Sequence, residues 1–202
     1  PSGNRGVLGA MAALIPDLAP VANVLHSGFG DASGLVEVVG LTLGGLALQD
    51  GQTPLPAGAE PLENRRVFRT LLGERHNRIV TTLAKERRAV AARWGVRNLP
   101  STDEWLDRFA GTMAGTMVRP VPQPNQADDL IRCATMGSLV PLQSAAQLAD
   151  LPVPATSAMI ELAHQSIGGD LLHAGRRLDN MGFVNTDLDS IRTQLDAMTV
   201  AT

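Results

Sequence analysis

The chain has 202 residues, 44% of them apolar and 18% charged, which fits a folded protein with a sizeable core and excludes an intrinsically disordered one. A net charge of −3 lacks the basic stripe that a nucleic-acid groove wants. One cysteine, Cys133, excludes an internal disulfide and any cysteine-rich metal site, and no apolar run is long enough to span a bilayer.

In chain order, residues 6–15 read as a helix stopped by Pro16. Pro16 and Asp17 stand where a secretory signal would carry a small-x-small cleavage site. The segment therefore reads as a first amphipathic helix, and the chain as cytoplasmic. Val21 to His26 reads as a short extended piece, and 33–48 as an apolar helix carrying Glu37. Residues 49–61 hold three prolines and two glycines and form a loop. Over 62–94, Leu72, His76, Ile79, Leu83, Val90 and Trp94 recur at three- and four-residue steps, one face of a long helix with Gly73 as a possible kink. Gly95 is its C-cap. Ser101 and Glu104 have capping-box spacing and open a helix over 102–114. After a second proline-rich loop at 119–124 come helices at 126–135, 141–149, 155–167, 170–181 and 187–199. Gly182 is the expected C-cap of the fourth of these and Thr186 the N-cap of the fifth. Alternating patterns are almost absent, so the fold class is all-α, a bundle of eight or nine helices.

Several residues invite a chemical reading. Gly28, Gly30 and Gly34 imitate a dinucleotide fingerprint, but the βαβ unit and the later acidic residue that give such glycines meaning are lacking. No cofactor is therefore expected. The four histidines, His26, His76, His164 and His173, show no metal-binding spacing, and no metal is expected. His76 lies on the apolar stripe, where a satisfied core histidine is the plainer reading. His164 and His173 flank the turn Gly168-Gly169-Asp170. Glu37 sits inside Leu35-Val36-Glu37-Val38-Val39. It either turns to water on one polar face or is buried, and burial would make it a usable general acid or base. Arg132, with Thr135 beside it, and Arg176 could hold a substrate carboxylate through the planar guanidinium, or simply face solvent.

The runs Leu139-Val-Pro-Leu-Gln, Leu151-Pro-Val-Pro-Ala-Thr-Ser-Ala-Met-Ile-Glu-Leu-Ala, Gly169-Asp170 and Gly175-Arg-Arg-Leu-Asp-Asn-Met-Gly182 resemble the C-terminal helical domain of the octopine/nopaline (opine) dehydrogenase family. Residues 86–96 and 99–106 resemble that family's middle segments, and Asn23-Val24-Leu25 the strand leaving its nucleotide domain. The resemblance implies a helical domain of the 6-phosphogluconate-dehydrogenase-like kind over 27–202, preceded at 1–26 by a remnant helix and strand of a Rossmann domain. It aligns Glu37 with the family's catalytic histidine and Ala134 with the partner aspartate. Hydride transfer needs a nicotinamide or flavin, because no side chain stores a hydride.

Three functions follow as expectations. One is a repurposed small-molecule enzyme, possible in natural-product biosynthesis, that runs a non-redox proton transfer: cyclisation, isomerisation or elimination. There Glu37 with His26, His76 or His164 is catalytic, and Arg132, Thr135 and Arg176 bind the substrate. Another is the substrate-binding half of a split or truncated NAD(P)-dependent oxidoreductase, with a separate nucleotide-binding subunit. The third is a non-catalytic binding or assembly subunit. A homodimer is expected to cover the face that a lost domain would expose. Neither nucleic acid nor membrane is expected as a partner.

Overall fold

A computed structural model describes residues 2–15, 21, 24–44, 74–102, 104, 124–183 and 186–198. The described residues are helical, with no strand among them. The helices are α1 (Ser2–Leu14), α2 (Val24–Gly30), α3 (Ser33–Leu43), α4 (Glu74–Arg93), α5 (Pro124–Ala134), α6 (Val140–Leu148), α7 (Pro154–Ile167), α8 (Leu171–Ala174) and α9 (Leu188–Met198). One π-helical turn, Thr135–Leu139, joins α5 to α6. The expected helix over 62–73, the body of the one over 102–114 and the loop at 49–61 lie outside the described residues.

α3 is the central helix. Leu35, Val36, Val38 and Val39 are all at most 1% exposed and Glu37 is 7% exposed, so this mainly apolar helix is buried around its circumference, as a helix enclosed by others must be. It packs on α4, α5, the π turn and α7. Gly34 makes the crossing possible, since a Cβ there would overlap the Ser138 side chain. A second core cluster gathers Val90 and Trp94 from the end of α4, Leu142, Ala145 and Ala146 from α6, and Ile191 from α9. α4 and α6 serve both clusters and tie them together.

Local chemistry sets the ends of these helices. Gly95 closes α4 at φ +84°, with Val96 N–H donating to Ala91 O at 2.8 Å and Gly95 N–H to Ala92 O at 3.0 Å. That pair of bonds is a Schellman motif, the expected cap. The same pattern recurs after α6 at Asp150, a non-glycine residue at φ +52°, with Leu151 N–H on Ala146 O. The capping box also forms: Ser101 N–H donates to Glu104 Oε2 at 2.7 Å, and Glu104 N–H to Ser101 Oγ at 3.1 Å. Proline stands at the first position of α5 and of α7, where its missing N–H leaves nothing unsatisfied.

Four expectations need correction. Of the piece at 21–26 expected to be extended, residues 22 and 23 lie outside the described residues, and the end from Val24 belongs to α2, because Leu25 and Phe29 sit four apart and dock together on the second cluster. The helices at 126–135 and 141–149 are one continuous run. Pro141 has no N–H for the preceding turn, and the chain absorbs this by widening: Val140 N–H reaches back five residues to Thr135 O. The helix over 170–181 is only Leu171–Ala174. It ends where Gly175 comes so close to Val140 that a Cβ would lie 2.7 Å from the valine methyl. Gly182, at φ +97°, instead closes a separate turn, with Phe183 N–H on Leu178 O. Finally, Asp187 caps α9 in place of Thr186, its carboxylate accepting from Ser190 N–H and Ser190 Oγ, each at 2.8 Å.

Candidate functional site

The spacing of α4 carries the site. Val80, Leu83, Ala84, Arg87, Val90 and Ala91 form its buried face, so Arg87 takes a core position at helical register. It is 2% exposed. Its Nη1 donates to Phe29 O at 2.9 Å and its Nη2 to Pro100 O at 3.4 Å. Phe29 lies in the last turn of α2, whose carbonyls have no helical partner and whose dipole favours a cation. Arg87 thus pins α2 and the segment after α4 to the bundle. Of its five N–H donors the described residues engage two, and Nε is buried without an acceptor among them. Burial pulls the guanidinium down to about 10; Arg88 adds to this, and Asp31 opposes it. Arg87 remains a cation at neutral pH.

Arg87 forms part of the wall of a cavity of about 430 Å³. α2 contributes Leu25, Ser27 and Phe29, α3 Leu35, and the turn that closes α4 Trp94. The π turn contributes Ser138, α6 Pro141, Leu142 and Ala145, and the turn after α8 Leu178 and Met181. Among the described residues Asp31 is the other charged residue of the lining. Trp94 is fixed there by its Nε1–H, which donates to Ala145 O at 3.1 Å. Exposed residues at Val24, Ser27 and Met181 open the cavity to solvent. A second cavity, of about 450 Å³, lies between α6 and the 177–183 turn. Gln143, Ser144, Gln147 and the ion-paired Arg177 and Asp179 make it more polar.

Neither cavity is lined by Glu37, His26, His76, His164, Arg132, Thr135 or Arg176. Glu37 is buried, at 7% exposure, which decides between its two readings in favour of the core. His26 donates from Nε2 to Arg97 O at 3.2 Å, just past the end of α4. His76 donates from Nε2 to Leu43 O at 3.2 Å, near the start of α4, and so satisfies the end of α3 as a core histidine would. With a rise of 1.5 Å per residue, α4 is about 30 Å long, so these two histidines cannot serve one small substrate. His164 bonds through Nδ1 to Gly169 O. The Arg132 guanidinium rests on the same turn, 3.0 Å from where a Cβ on Gly169 would stand. These two candidates are thus brought together, away from the others. His173 pairs through Nδ1 with Asp170 at 2.7 Å, on the surface. Thr135 is fully buried at the start of the π turn, and Arg176 is exposed, its backbone N–H held by Met136 O at 3.0 Å. Cys133 is an exposed free thiol.

Gly28 and Gly30 lie within α2 and Gly34 within α3, so the three glycines form no phosphate loop. Among the described residues, no three His, Cys, Asp or Glu side chains converge as metal ligands, and no helix is long and apolar enough to cross a membrane. Sequence reading missed Arg87, although its place on the stripe between Leu83 and Val90 was a usable signal. Comparison with protein-family models and with curated proteins finds no match to this chain.

Proposed function

We propose that this chain is a helical binding module for a small, largely apolar molecule, seated in the cavity between α2, α4 and α6. The carrying observation is the lining itself. It is a mostly apolar wall of core side chains with a few polar groups (Ser27, Asp31, Arg87 and Ser138) converging on one space. Its volume falls in the range of about 300–1,000 Å³ typical of ligand sites. The resemblance to the helical, substrate-binding half of opine dehydrogenases agrees with this reading. A neutral fluorescent probe, N-phenyl-1-naphthylamine, tests it. One molecule should bind per chain, with energy transfer from Trp94. Ser27→Trp, an exposed substitution at the mouth, should weaken binding about tenfold. Undiminished binding by that variant would place the probe elsewhere and end the reading.

Burial of Glu37 favours a second reading, in which the chain catalyses a non-redox proton transfer. Position 37 and position 134 are the pair that the resemblance aligns with a catalytic dyad. They lie on α3 and α5, helices that pack on each other. A buried carboxylate can serve as a general acid or base once a substrate reaches it, and in this reading the substrate would come to Glu37 outside the two cavities described. Glu37→Gln keeps the shape and removes the titrating group. Turnover of a substrate unchanged by it would remove Glu37 from any mechanism.

A further inference from the structure

The binding reading leaves open what the cavity takes, and Arg87 bears on that. A guanidinium this deeply buried carries its full charge at neutral pH. Its two hydrogen bonds go to backbone carbonyls, which are neutral acceptors. The carboxylate that acts on it, Asp31, shares the same lining and opposes the effect of burial without cancelling it. Asp31 offsets only part of the cost of burying this cation, and the Arg87 Nε–H has no acceptor among the described residues, so an anion brought to it from outside would relieve more of that cost. The rest of the wall decides which anion. Among the described residues Arg87 is the one cation in the lining, and Asp31 is the one anion. A first negative charge can be received by Arg87, but the second charge of a dianion such as a phosphate monoester meets no further cation among the described lining residues and faces Asp31, so a monoanion is favoured over a dianion. Around the guanidinium the wall is hydrocarbon: Leu25, Phe29, Leu35, Trp94 and Leu142.

Resting on the cavity reading, we propose that the ligand is a monocarboxylic acid with an unbranched or aromatic apolar body, its carboxylate received by Arg87. Planar bidentate donation to a carboxylate is the geometry for which a guanidinium is built. The apolar body runs along the α2 and α6 walls toward the mouth at Met181, contributing about 0.8 kcal/mol per buried methylene.

Three probes of equal length separate the possibilities: decanoate, 1-decanol and decylamine, titrated into the full chain at neutral pH and followed by calorimetry and by Trp94 fluorescence. Decanoate should bind at least about tenfold more tightly than decanol, and decylamine more weakly than decanol. Arg87→Met should erase the preference for decanoate while leaving decanol binding in place. Arg87→Lys, which keeps the charge and loses the planar fork, should retain only part of it. If Arg87→Met does not fold, the comparison of the three probes on the unaltered chain still decides. Equal binding of decanoate and decanol would overturn the acid while leaving the cavity reading intact. Tightest binding of decylamine would assign the head group to Asp31 and overturn it too. No binding of any probe would bring down the cavity reading and the acid with it.

Discussion

The carboxylate of Glu86, on α4, closes the N-terminus of a helix 69 and 70 residues further along the chain. It accepts from Ala155 N–H and Thr156 N–H, each at 2.8 Å, and from Thr156 Oγ1 at 2.7 Å. α7 begins after Val153, which has no side chain able to cap, so Glu86 supplies from outside what the local sequence lacks. A negative charge there also meets the positive end of the helix dipole. Glu86→Ala leaves three donors without an acceptor, two of them on the fully buried Thr156. Removing charged hydrogen bonds of this kind should cost about 3 kcal/mol of stability, with Glu86→Gln costing about 1 kcal/mol, both read from urea unfolding. A loss no larger for Ala than for Gln would show that the cap contributes little. Asp187 gives a pH-dependent counterpart. Its carboxyl is held below the usual range, first by the backbone N–H of Ser190 and then by the Ser190 hydroxyl. A group whose folded pKa is depressed stabilises the fold above its unfolded value, and that contribution is lost as pH falls through the folded value. Acidification should therefore fray the first turn of α9, seen as faster amide exchange at Ser190. Asp187→Asn should show no such pH dependence.

Among the elements, the helices whose apolar residues recur at 3.6-residue spacing were legible, because one face of α4 or α7 meets the core whatever else surrounds it. Caps built from neighbouring residues were legible for the same local reason: Gly95 and the Ser101–Glu104 pair depend on nothing distant. The misreadings share the opposite cause. β-branched Val21 and Val24 suggest a strand, and only the docking of Leu25 and Phe29 on a distant cluster makes α2. Pro141 suggests a break, and only the packing of the run 124–139 along α3 makes a widened turn less costly than an interruption. The crossing of α3 on that run is itself testable. Gly34→Ala drives a Cβ into Ser138 and brings it to 3.3 Å from Ala134 O, so the helices must separate. Overpacking of this kind costs about 1–3 kcal/mol. Ser138→Gly in the same chain should restore more than half of the loss, because it removes the atoms in the way. Simple addition of the two single effects in a double-mutant cycle would mean that α3 and the π turn do not press on each other at that point.

Across the whole molecule, the site was less legible than the fold. Titratable residues draw attention in a sequence, yet His26 and His76 end as hydrogen-bond donors at opposite ends of α4, each holding a neighbouring segment. Arg87, one of many arginines, acquires its role only when α2 and the segment after α4 fold over it. Its charge and its cavity lie at the junction of the two core clusters, and this has a consequence for cooperativity. α4 carries Leu83 into the first cluster and Val90 and Trp94 into the second, and the run through α6 does the same with Val140 and Leu142. Neither cluster can open without uncovering part of the other, so they should unfold as one unit. Ile191→Ala in the second cluster and Leu83→Ala in the first should each cost about 2–5 kcal/mol. In a Trp105→Phe background, Trp94 fluorescence reports the second cluster alone, while far-ultraviolet circular dichroism reports all helices. For each variant the two urea transitions should coincide, with a lowered midpoint and an unchanged slope. A fluorescence transition that moves ahead of the dichroism in Ile191→Ala alone would show that α9 and its cluster come away first. The cavity at the junction would then be a hinge between two separately stable halves, and a ligand seated against Arg87 would bring the two transitions back together.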